Sequence, residues 1–162
     1  MLSSLVVGCW LEVKDGNTAA RTIFGRHYTY RPVRNQISLF PSKNRNFALF
    51  VGPGEKVVLI TPDERAIFAW RKFRSMDPEQ TGVNCSVFRN EGSTVARSSD
   101  LIRAADLIAW ERWPGERLYT YVDPKRTRHK RDPGRCFLRA GWRHYGWSKS
   151  GLRILEILPE WA

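Results

Sequence analysis

Cysteine is scarce and scattered: Cys9, Cys85 and Cys136 are the only three in 162 residues, with no C-x-x-C pair and no histidine at finger spacing. Three distant thiols make no disulfide framework, so each is expected as a small buried apolar residue in a reducing cytoplasm. Histidine is equally sparse. His129 and His144 lack partners at ligand spacing, and no structural metal is expected. No apolar run approaches the roughly 18–20 residues that span a bilayer, so a membrane is not an expected partner. The opening Met1–Trp10 has no basic lead and is soon followed by Glu12 and Asp15, which argues against a signal peptide. Internal repeats and low-complexity linkers are missing too. The length suits one domain over residues 1–162.

The last shortage is of acid. Sixteen Asp+Glu stand against 27 Lys+Arg, a formal charge of +11. Hydrophobic residues at 42% and aromatics at 12%, seven Trp among them, exclude a disordered chain. The positive charge is also uneven: from Lys125 to Arg153 there are ten Lys/Arg and one acid, Asp132. A field of one sign attracts polyanions, nucleic acid first and an acidic cofactor such as coenzyme A second. The densest part is a basic loop over residues 124–132, where Lys125, Arg126, Arg128, Lys130 and Arg131 are either a phosphate clamp or a solvated loop.

Hydrophobic periodicity and turn residues predict a mixed order of elements. Leu5–Val13 reads as a strand, and Thr18–Gly25 as a short helix capped by Asn17. Phe47–Val51, Lys56–Ile60, Ala66–Trp70 and Val83–Arg89 read as strands of a meander, separated by Gly52-Pro53-Gly54, Pro62-Asp63 and a loop holding Pro78 and Gly82. Ser98 is expected to cap a helix carrying Leu101, Ala105, Ile108 and Ala109 on one face, which Trp113-Pro114-Gly115 stops. Leu118–Val122 is a strand, Asp132-Pro133-Gly134 leads a helix to about Ala140, and Gly151–Leu158 is the last strand. Such an order predicts an α+β domain, a single twisted mixed sheet with helices on both faces.

This order resembles the GNAT N-acyltransferase fold over roughly residues 55–158, through Val83–Arg89, the loop Asn90–Arg97, the helix from Ser98, the strand to Val122 and Gly141-Trp142. A narrower resemblance is to the phage Mom family, GNAT-like enzymes that modify adenine in phage DNA. It rests on Arg26-His27-Tyr28-Thr29, Phe88-Arg89-Asn90-Glu91-Gly92, Ser98-Ser99-Asp100-Leu101-Ile102, Tyr121-Val122-Asp123-Pro124, Pro133–Trp142 and Gly151–Glu156. The chain departs from the usual GNAT phosphate loop: Asn90–Arg97 has one glycine, and Glu91 repels a diphosphate. Phe137 stands near the position where a GNAT tyrosine protonates the leaving thiolate.

The resemblance implies roles residue by residue. Asp123, ending a strand at a central cleft, would accept a proton from a base amine; it is equally a common Asp-Pro turn starter. Arg89 would hold a phosphate or carboxylate bidentately, or else pair with Glu91 or Asp100. His27 and Tyr28 would line the reacting cleft, moving a proton or stacking on a base. Asn90, Gly92, Ser98 and Ser99 would hold acetyl-CoA or another acyl donor at a helix end. Arg143, Tyr145 and Trp147 interleave cations with aromatics, a pattern that suits an extruded base. The expected activity is addition of a small acyl or related group to an exocyclic amine of a DNA base, protecting DNA from restriction in the cytoplasm of an infected bacterium. Two alternatives stand beside it: an ordinary acetyl-CoA-dependent N-acetyltransferase for a protein, small amine or aminomethyl-pyrimidine, and a silent DNA-binding or host-inhibiting module.

Overall fold

The β-branched runs between residues 55 and 90 are strands in a computed structural model of the chain, which describes residues 8–27, 49–73, 80–126 and 132–162. In chain order the elements are β1 (Leu11–Val13), α1 (Thr18–Phe24), β2 (Glu55–Ile60), β3 (Ala66–Lys72), β4 (Val83–Asn90) and α2 (Ser98–Arg112). Then come β5 (Leu118–Val122), α3 (Arg135–Arg139), β6 (Arg143–Trp147), β7 (Arg153–Ile157) and a closing 3-10 turn, Pro159–Trp161. The strands form one sheet in the order β1-β2-β3-β4-β5-β7-β6. Every neighbouring pair is antiparallel except β4 and β5, which α2 connects as a parallel crossover. The fold is therefore α+β with a mixed sheet.

Alternation along the strands divides the core in two. Val58, Ile60, Ile67, Ala69 and Val87 pack with Ala20 and Ile23 of α1 on one face. Val57, Leu59, Phe68, Trp70, Leu118 and Leu155 pack with α2 and with Phe137 of α3 on the other. A strand buried on both faces needs apolar residues at every position, which is why Val57–Ile60 has no polar interruption. α2 is anchored by tryptophans. The Trp10 and Trp70 indole N–H groups donate to the Leu101 and Ala105 carbonyls at 2.8 and 2.9 Å, and Trp142 donates to the Asp106 carboxyl at 2.9 Å. No helix among the described residues is long and apolar enough to cross a membrane.

Several expectations need correction. Of the strand expected over Leu5–Val13, the described part forms only Leu11–Val13. The described end of Phe47–Val51 is no strand, because the Phe50 and Val51 amides donate to the Asp15 carboxylate at 2.9 and 3.3 Å instead of to a neighbouring strand. Ser98 is not the cap of α2: Arg97 occupies that place in extended backbone without a side-chain cap, and the Ser98 hydroxyl accepts from Asn90 at 3.0 Å. Arg143–Trp147 is a strand the pattern did not reveal, since Gly146 and the charged residues break its apolar alternation. Cys85 is buried as expected, but Cys9 and Cys136 are only half-buried.

Candidate ligand cleft between strands four and five

β4 and β5 pair only through Val83–Leu118, Asn84–Tyr119 and Cys85–Thr120, after which they part. The cause lies on the other side of β4. Ala69 pairs with Val87 and Trp70 with Cys85, so Ser86 is an extra residue, a bulge that bends β4 at the point where it leaves β5. Thr120 Oγ1 donates to the Cys85 carbonyl at 3.0 Å and closes the apex of the wedge. Beyond it, the inner edges of both strands present backbone groups that an extended ligand can meet as an added strand would.

The wedge opens a cleft of about 1210 Å³. Val87, from the α1 side of the sheet, and Phe88, from the α2 side, both line it, so the opening passes through the sheet plane. Seven arginines (Arg26, Arg89, Arg97, Arg103, Arg126, Arg135 and Arg139) line it against Asp100 and Asp132, which gives it a positive potential. Arg135 and Arg139 share a face because they are four apart on α3. Arg97, Arg135 and Arg139 have no ion-pair partner among the described residues. The others are engaged: Arg103 with Asp100 at 2.9 Å, Arg126 with Asp123 at 3.7 Å, Arg26 and Arg89 with Glu91 at 2.5 and 2.8 Å. The hydrogen bond from Arg26, helped by Arg89, holds the Glu91 carboxyl down at about 2.

The loop after β4 has turned its amides inward. Glu91 N donates to the Arg65 carbonyl, Gly92 N and Ser93 N to Asn90 Oδ1, Thr94 N to Asp63 and Val95 N to the Ser93 hydroxyl. Burial pulls the Asp63 carboxyl upward, yet the hydrogen bonds from Thr61, Thr94, Ser93 and Arg65 outweigh it and hold it at about 2. This loop is tied to a carboxylate of its own chain rather than left as a nest for phosphate. The first amides of α2 remain available, since no side chain caps them and Ser98 and Ser99 line the cleft.

The expected site residues fall into four groups. His27, Arg89, Asn90, Ser98, Ser99 and Arg126 line the cleft together. Asp123 stands one residue past the lining Val122: its carboxylate accepts from the Lys125 amide at 2.9 Å and faces the lining Arg126. It is thus a turn residue at the rim. Gly92 and Lys125 do not line the cleft, and Arg143, Tyr145 and Trp147 sit on edge strand β6. Tyr28, Arg128, Lys130 and Arg131 lie outside the described residues.

Sequence reasoning missed Arg26, Arg97, Arg103, Arg135 and Arg139 as lining groups. Only the four-residue spacing of Arg135 and Arg139 was a legible sign. It also missed Cys136, which lines the cleft, and Asp106, whose Oδ1 is buried without a hydrogen-bond partner among the described residues. No group of three metal-ligating side chains is assembled among the described residues. No family model and no curated protein sequence matches this chain.

Proposed function

We propose that the protein is a GNAT-like acyltransferase, similar to the phage Mom enzymes, that acylates an exocyclic amine of a DNA base. One observation carries the reading: a wedge between parallel strands, through the sheet, lined by seven arginines. An anionic acyl donor suits the uncapped end of α2, where Arg97 adds positive potential.

In the reaction the amine lone pair attacks the acyl carbon, the bond to the donor's leaving group breaks, and that group departs with the electron pair. The amine proton passes to a carboxylate, and Asp123 at the rim is the candidate, released from Arg126 as DNA phosphates draw that guanidinium away. Arg89 holds the donor once it exchanges Glu91 for the ligand.

Mass spectrometry of nucleosides from DNA of cells expressing the protein tests this. The expected result is a mass-shifted deoxynucleoside, reduced roughly 10²-fold or more in Asp123→Asn and lost in Arg89→Ala. Unmodified nucleosides with the wild-type protein overturn the reading, and acetylation of small amines or proteins without DNA assigns the cleft to the ordinary N-acetyltransferase class.

A further inference from the structure

Edge strand β6 exposes two large aromatics, Tyr145 at 52% and Trp147 at 59%. They do not share a surface. Arg143 pairs with Glu156 and His144 with Leu155, then the register slips so that Gly146 meets Ile154 and Trp147 meets Arg153. On β7, Leu155 and Ile157 face the α2–α3 core, so Arg153 lies on that side and Glu156 on the other. The contacts agree. Arg153 Nη1 donates to Asp132 Oδ1 at 3.0 Å and to the Pro133 carbonyl at 2.9 Å, while its Nε donates to His144 at 3.0 Å. The His144 and Trp147 rings meet edge to face at 5.6 Å. Trp147 is therefore linked through His144 and Arg153 to Asp132, in the wall of the cleft.

Tyr145 belongs to the opposite face, where the cation against its ring is already engaged. The Arg117 guanidinium lies 4.8 Å from the rings of both Tyr119 and Tyr145 and is paired with Glu156 at 2.8 Å; Arg143 covers the Trp161 ring at 4.1 Å. On the Trp147 side, Arg135 and Arg139 have no ion-pair partner among the described residues. An exposed indole on the same face of the sheet as unspent guanidinium groups is the combination that single-stranded or extruded nucleic acid meets, the ring for a base and the cations for its phosphates.

We propose that a nucleic-acid base stacks on Trp147 and that DNA reaches the cleft across the α3-bearing face of β6, not across the face of Tyr145. This rests on the DNA reading given above. The test is equilibrium binding of a fluorescent single-stranded oligonucleotide, and of a duplex with one mismatched pair, to the full chain. Trp147→Ala is expected to weaken both roughly 5- to 150-fold, as loss of one base–aromatic stack does. Trp147→Phe is expected to retain most of the affinity, and Tyr145→Ala to change it less than about twofold. Tight binding that is unaffected by Trp147→Ala, or lost in Tyr145→Ala, overturns the assigned face while leaving DNA as the partner. Failure of the wild-type chain to bind either oligonucleotide overturns both readings. Equal affinity for polyglutamate, equally unaffected by Trp147→Ala, assigns the surface to an acidic protein and overturns the stacking proposal.

Discussion

Asp106 is a buried carboxyl on α2. Burial drives its carboxyl well above the ordinary 3.8, against the hydrogen bond from Trp142 and the field of Arg103. Its Oδ2 accepts the Trp142 indole N–H while Oδ1 has no hydrogen-bond partner among the described residues. A carboxyl raised on folding is protonated in the native state at a pH where the unfolded chain has ionised. Its contribution to stability is whole below about 3.8 and declines as pH rises toward the folded value. Asp106→Asn keeps an acceptor for Trp142 and removes the titration. The variant is expected to gain on the wild type as pH rises above about 4; urea midpoints at several pH values measure the difference, and parallel curves contradict it. The neighbouring Cys85 thiol is also pushed up by burial, so it is not a thiolate nucleophile.

At the scale of elements, the wedge depends on how β4 begins and bends. Gly82 precedes it with φ +122, and a Cβ there would collide with the Arg117 carbonyl oxygen and carbon. That same carbonyl accepts the Val83 amide at 2.8 Å, the bond that sets β4 beside the approach to β5. Neither partner can retreat without loosening the parallel pair. Gly82→Ala is therefore expected to destabilise the fold by about 1–3 kcal/mol, read as a lower denaturation midpoint with an unchanged slope. The sequence marked this glycine only as part of a loop, because the close approach involves backbone 35 residues away.

The strands Glu55–Ile60, Ala66–Lys72 and Leu118–Val122 were legible from their β-branched and aromatic content, and α2 from its apolar spacing. Edge strand β6 was not. With one side open to solvent it needs few apolar residues, and His144, Tyr145 and Gly146 leave no period of two to read.

At the scale of the molecule, seven arginines among the described residues gather where the sheet opens. If the cleft and its surroundings bind DNA, affinity falls steeply with salt as counterions are released. Replacing Arg135 and Arg139 one at a time with Gln is expected to lower the slope of log affinity against log salt by about 1 each. A salt titration of duplex binding checks this, and an unchanged slope removes these residues from the interface. Arg103 is a suitable comparison, since it is held by Asp100 and by the Arg139 carbonyl at 2.5 Å.

Composition and local pattern alone determined that this chain folds as one α+β sheet, that it carries a strong positive field, and that Arg89, Asn90, Ser98 and Ser99 are neighbours, since these lie at adjoining ends of consecutive elements. Only the tertiary structure decided that β4 and β5 part after Cys85 and Thr120, that Arg26, Arg97 and Arg135 join the same cleft, and that Tyr145 and Trp147 face opposite ways. The reason is range. Periodicity and turn chemistry act over a few residues, whereas a bulge at Ser86 takes effect through strands that the chain reaches only after another helix.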